Sequence, residues 1–171
     1  MAQGTSTIPA TSPERERRGL WGRRATLAAL VAFLALGLAG VFGDREDTVS
    51  ATAGGWELEV DHPAATRSGL SVVWRIAVRH AGGFDRPVQL ATSAGFIELL
   101  DEDAIEPMPS SATADGDRVI WTFDPPPGEE LVVRVDARVD PSRRGRAEAT
   151  TSVLDGGRPV VSAGYAMRVF P

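Results

Sequence analysis

The sequence predicts an all-β protein: an antiparallel sandwich of about seven or eight strands, preceded by one N-terminal transmembrane helix. Three observations predict it. Ala25 to Phe42 is an uncharged apolar run, ATLAALVAFLALGLAGVF. From Gly55 onward the apolar residues recur with period two, the signature of half-buried strands. Glycine and proline cluster between those stretches, and no convincing helical period follows residue 44. With 171 residues, 43% hydrophobic and 24% charged, the chain has room for one ordinary domain and a small addition. That excludes a large multidomain enzyme and a fully disordered polar chain.

Residues 1–24 carry five arginines against two glutamates and show no apolar period. They read as a disordered cytoplasmic tail. Residues 25–43 read as a signal anchor lying in the lipid bilayer. Its 18-residue core would be about 27 Å long as a helix, just short of a hydrocarbon layer of ~30 Å. A helix bonds all its peptide groups internally, as lipid requires. Trp21 and Phe42 stand at the two ends, and Arg23 and Arg24 mark the cytoplasmic side. Arginines before the run, and Asp44, Glu46 and Asp47 after it, place the N-terminus inside and the rest outside. A cleaved signal is the alternative, because Ala51-Thr52-Ala53 has the small-x-small form a peptidase wants. The run is, however, longer than a signal core of ~7–15 residues. Ala28, Ala32, Ala35 and Ala39 line one helix face, where small residues would let a second copy approach as a homodimer.

Residues 44–54, DREDTVSATAG, read as a polar linker, and residues 55–171 as the extracytoplasmic domain. Trp56, Leu58 and Val60 alternate with acids. Leu70, Val72, Trp74, Ile76 and Val78 form the next apolar row. Val88 and Leu90 begin a shorter strand; 96–100 is apolar but ambiguous. Val119, Trp121 and Phe123 alternate, as do Leu131, Val133, Val135, Ala137 and Val139. Ala147 to Val153 runs into Asp155-Gly156-Gly157, a good hairpin turn, and Val161 to Val169 follows on one face. Short strands at this spacing argue for a sandwich of the immunoglobulin kind. Trp74 and Trp121 fall on inward faces, where large rings pin two sheets together.

Two stretches carry a resemblance. Ser71 to Leu90 reads strand, Arg-His-Ala-Gly-Gly, strand. Val119 to Val139 reads VIWTFDPPPGEELVVRVDARV, a tryptophan strand leading through a Pro-Gly turn into a long alternating strand. Together, over about residues 55–155, they resemble bacterial surface repeats with an immunoglobulin-like fold. The resemblance implies an adhesive, spacer or partner-binding role.

Reactive chemistry is sparse. The chain has no cysteine, so disulfides, thiolate metal sites and thiol nucleophiles are excluded. No G-x-S-x-G elbow or phosphate loop occurs. His62 and His80 each read as ending a strand in a loop, without the spacing of a metal pair. All 18 basic residues are arginine, and residues 44–171 hold 13 of them against 21 acids. That balance disfavours nucleic acid. No cofactor is expected. The segment 101–117 reads as a long acidic loop. Asp101, Asp103 and Glu106 are its weak calcium-ligand candidates, and Ile105 and Met108 its candidate partner contacts. Arg143 and Arg144 form a small basic cluster in a turn, a further candidate contact.

The function read from these features is that of a single-pass membrane protein. Its non-enzymatic extracytoplasmic sandwich would bind another membrane or envelope protein as an accessory module. The alternative is a secreted or anchored domain that binds calcium or carbohydrate, or a small enzyme.

Overall fold

The computed structural model describes residues 13–38 and 45–171; the side chains of residues 13–20, 36, 37, 102 and 103 fall outside that description. The chain divides into two units, Met1–Gly43 and Asp44–Pro171.

The first unit contains helix α1, Pro13–Leu38. Residues 13–24, expected to be a disordered tail, belong to this helix. The described helix therefore begins with a strongly charged half. Its uncharged part, Ala25–Leu38, is about 21 Å long at the helical rise. Among the described residues no helix is long and apolar enough to cross a membrane. The spanning helix expected over 25–43 is thus not found among them, and the end of the apolar run, including Ala39 and Phe42, lies outside the described residues. Trp21, Leu27, Leu30, Val31 and Leu34 are each more than half exposed. Arg23, Arg24, Ala28, Ala32 and Ala35 are exposed as well.

The second unit is built from ten strands and one helical turn. The strands are β1 (Arg45–Ala53), β2 (Trp56–Arg67), β3 (Ser71–His80), β4 (Val88–Ser93), β5 (Leu100–Glu106), β6 (Ser111–Asp115), β7 (Arg118–Phe123), β8 (Glu130–Val139), β9 (Gly145–Asp155) and β10 (Arg158–Phe170). The turn is α2 (Ala94–Ile97). Hydrogen bonding links the strands in the order β5-β8-β3-β2-β10-β9-β4-β7-β6, with β1 paired to β2.

This sheet is folded on itself. Trp74 of β3 lies 5.8 Å from Trp121 of β7 and 6.2 Å from Tyr165 of β10, ring centre to ring centre. Strands so far apart in the pairing order can bring their rings together only if two layers face each other. One layer is β1-β2-β3-β8-β5, and the other is β10-β9-β4-β7-β6. The seam between them is β2. Its first half pairs with β3 as far as Asp61↔Arg75, and its last residues run parallel to β10, from Ala65↔Arg168 to Arg67↔Phe170. Pro63, which has no N–H to donate, sits in the gap between those two pairings.

The inward rows match the alternation read from the sequence. Leu58, Val60, Trp74, Ile76, Leu90, Phe123, Val133, Val135, Val153 and Met167 are all buried in one cluster. Phe96, on α2, closes one end of it with its ring 5.5 Å from those of Trp74 and Tyr165. The ambiguous stretch 96–100 is therefore a helical turn entering β5, because one large ring is placed inward and no alternation continues it. The core also holds a short polar chain: Thr92 and Thr151 share a hydrogen bond of 3.1 Å, and Thr151 and the Tyr165 hydroxyl one of 2.9 Å. Burial pushes the Tyr165 phenol above its ordinary range, so it stays neutral and serves as a hydrogen-bonding group.

Two expectations are corrected here. Residues 44–54 are not a linker: Arg45–Ala53 is strand β1, zipped to β2 from Glu46↔Pro63 to Ala53↔Trp56, with Val49 and Ala51 packed on the core. Residues 101–117 are not a loop either. Most of them form β5, paired to β8, and β6, paired to β7.

The solvent face of the β1-β2-β3-β8-β5 layer is laced with ion pairs. Arg75 reaches Glu59 (3.3 Å) and Asp61 (3.0 Å), and Arg79 reaches Glu57 (3.5 Å) and Glu130 (2.8 Å). The Thr48 hydroxyl donates to Asp61 at 2.6 Å. That bond and the Arg75 guanidinium hold the Asp61 carboxyl below its ordinary range. A carboxyl depressed in the folded state adds stability that is present above the unfolded value of about 3.9 and is lost as pH falls through the folded value. Asp61→Asn is therefore expected to lower the melting temperature at pH 7 and to have little effect near pH 2. Melting curves of both proteins across that range check it, and an equal loss at both ends contradicts it.

Candidate functional site

The residues singled out in the sequence do not come together. Asp101 and Glu106 lie on β5 opposite Arg138 and Arg134 of β8. Asp103 is on the same strand, its side chain outside the described residues. Among the described residues no three histidine, aspartate or glutamate side chains gather as a metal site. Ile105 turns inward and packs on the core, whereas Met108, in the connection from β5 to β6, is 86% exposed. Arg143 and Arg144 lie in the turn after β8, where Arg143 is held 3.7 Å from Asp140. Neither histidine is a free loop residue: His62 is buried in β2, and His80 is the last residue of β3.

A different cluster forms at one end of the sandwich, where four connections meet. The β1–β2 turn is Gly54-Gly55, both at positive φ (57° and 82°), which a two-residue hairpin of this hand requires. It places Trp56 first in β2, directly across from His80 on β3. The two rings lie 4.1 Å apart, and Phe84, in the connection from β3 to β4, is 5.9 Å from Trp56 and 6.2 Å from His80. All three rings are half-buried. They line a cavity of about 100 Å³ with Asp85, Arg86 and Asp155 at its edge.

Hydrogen bonds tie the connections at this end together. The Ala81 amide donates to Gly55 (3.4 Å) and the His80 amide to Glu129 (3.0 Å). The Gly82 amide donates to the Glu129 carboxylate (3.0 Å), and His80 Nδ1 sits 2.8 Å from the Gly83 carbonyl oxygen. Gly83 has φ 81°, and a Cβ there would stand 3.0 Å from the Gly128 carbonyl oxygen of the Pro125-Pro126-Pro127-Gly128 connection. Strain and crowding act together, so Gly83→Ala is expected to destabilise the domain by about 1–3 kcal/mol. Urea unfolding checks it; an unchanged midpoint would show that the two connections separate freely.

Charges at this end are only partly matched. Arg86 is 3.3 Å from Asp155, with Arg86 largely in solvent. Asp85 is exposed and has no ion-pair partner among the described residues. Half-buried rings thus stand beside carboxylates on a frame tied together by hydrogen bonds. Sequence reasoning noted Trp56 and His80 separately and missed Phe84. The signal was the pair of Gly-Gly steps, 54–55 and 82–83, each within one residue of an aromatic side chain at this end.

No family model matches the chain, and no curated protein matches it. Among solved structures, a CARDB domain from Pyrococcus furiosus, solved with di-metal ions, is 14% identical over 72% of this chain and 93% of its own, with a TM-score of 0.41. The seventh ScaB type I cohesin from Pseudobacteroides cellulosolvens is 13% identical over 62% of this chain and 86% of its own, at 0.40. The N-terminal domain of a Streptococcus gordonii adhesin is 13% identical over 67% of this chain, at 0.47, and the match spans 32% of that chain. All three scores lie below 0.5, so these likenesses decide neither family nor function.

Proposed function

We propose that this chain is a non-enzymatic partner-binding module whose sandwich lies outside the cytoplasm, attached to a membrane through residues 25–43. The observation that carries the binding role is the half-buried cluster of Trp56, His80 and Phe84, beside connections tied together by hydrogen bonds. Aromatic groups fixed in place lose little entropy on binding, and tryptophan is among the residues enriched where binding energy concentrates at protein interfaces. The membrane attachment is supported by the sequence: 18 uncharged residues, arginines before them and acids after. In the sequence β1 begins at Arg45, two residues after the end of the 25–43 segment, so the attachment would be short and the partner a neighbour in the same membrane or envelope.

The test is crosslinked capture from native membranes with the tagged full chain and its Trp56→Ala variant, read by mass spectrometry. A partner captured by the wild type and lost with Trp56→Ala is the expected result. The same sample reports whether the N-terminal peptide is intact. Capture that ignores Trp56, or a sandwich recovered free of residues 1–43, contradicts the corresponding half of the proposal.

A further inference from the structure

We infer that the cavity of Trp56, His80 and Phe84 receives a cationic side chain, an arginine or lysine of the partner. This rests on the partner-binding reading and names the chemistry of its contact. Three observations lead to it. The cavity, about 100 Å³, has room for one side-chain head and not for an extended ligand. Trp56 and Phe84 are among the residues that line it, and the faces of such rings are electron-rich and attract a cation within about 6 Å of the ring centre. Its edge carries Asp85, which has no ion-pair partner among the described residues, and Asp155, which has only the solvent-exposed Arg86.

The surroundings point the same way. Residues 44–171 hold 21 acids against 13 arginines, so the domain attracts basic segments from a distance. On the face formed by β2, β3 and β8, arginines are already spoken for: Arg75 and Arg79 each bridge two carboxylates. At the cavity the balance is reversed, with carboxylates in excess of the arginine provided. An incoming cation stands over the rings, gains Asp85, and takes the place of the loosely held Arg86 beside Asp155. A neutral group of the same shape gains only the rings.

The experiment uses the full chain, isotope-labelled, in a neutral polyoxyethylene detergent. Acetyl-Gly-Arg-Gly-amide is titrated against its citrulline counterpart, which keeps the shape and loses the charge; cellobiose serves as the sugar probe. The readout is the NMR shift of the Trp56 indole N–H and the Gly82 and Gly83 amides. The expected result is a saturable shift with the arginine peptide, about fivefold weaker binding for Asp85→Asn, and loss with Trp56→Ala. Added salt is expected to weaken it further. Asp85 is exposed, so Asp85→Asn folds even where a change at Trp56 disturbs the turn. Equal shifts with citrulline, shifts with cellobiose alone, or no shift at these groups each overturn the inference. If the peptide leaves them unmoved while partner capture still depends on Trp56, the cationic assignment fails and the partner-binding reading stands. If capture is also independent of Trp56, both fail.

Discussion

Trp74→Ala is expected to cost about 3–5 kcal/mol, a large share of the stability of the sandwich. Trp74 is fully buried. Its ring is also the junction of the core: Phe96, Trp121 and Tyr165 all lie within 6.2 Å of it, from α2, β7 and β10. Removing it empties space that three elements line and that none can refill without leaving its own layer. A domain of this size has about 5–15 kcal/mol to lose in total, and no disulfide limits the unfolded chain. Urea unfolding followed by near-ultraviolet circular dichroism reads the packing of the buried rings, free of the helical backbone signal of α1. Trp121→Ala is expected to behave similarly, and the double variant to cost less than the sum, because both changes open the same space. A loss below about 1 kcal/mol for Trp74→Ala would mean that the two layers do not meet at this ring.

Most of the sandwich was legible in the sequence because most of its strands are half-buried. β2, β3, β4, β7, β8, β9 and β10 each put one row of side chains into the core, and that row is what period-two alternation records. The three strands that escaped are edge strands or extra strands. β6, Ser-Ala-Thr-Ala-Asp, is exposed along its whole length. In β1 only Val49 and Ala51 turn inward. β5 carries a register shift between Glu102 and Ala104, so its one inward row is broken. Such strands are held by ladder hydrogen bonds to a neighbour, which leave no mark in the residue pattern. For the same reason the acidic segment 101–117 read as a loop, and its carboxylates as candidate ligands.

The candidate site was less legible. Trp56, His80 and Phe84 are far apart in sequence and belong to different elements. Only the cross-strand register Trp56↔His80 and the close packing of Gly83 on Gly128 bring them together. Register is set by the whole buried row of β2 and β3, not by the residues at its end. The glycine pairs showed where the chain turns, but not that two of the turns share one end. The apolar run at 25–42 is the opposite case. Its charge asymmetry is plain in the sequence, and the described helix adds that the arginine-rich segment before it is helical too.

His62→Leu is expected to stabilise the domain, by about 1–2 kcal/mol. His62 is 2% exposed, and neither ring nitrogen has a hydrogen-bond partner among the described residues. Its ring stacks on that of Tyr165, 4.7 Å away. An imidazole in water has both nitrogens hydrogen-bonded, so burying it unpartnered carries the full cost of stripping them. The stack gives back about 0.5–1.5 kcal/mol, less than that cost. Leucine is close in volume, and Leu58 and Val60 on the same inward row of β2 show that aliphatic side chains fit there. The polar chain next to it is undisturbed, because the Tyr165 hydroxyl bonds Thr151 and not His62. Thermal and urea unfolding of the full chain measure the change, with Tyr165→Phe alongside as a variant that removes a satisfied bond and is expected to destabilise. A lower midpoint for His62→Leu would contradict this, and would mean that the imidazole is compensated by a buried water or by the neighbouring Asp61 carboxylate.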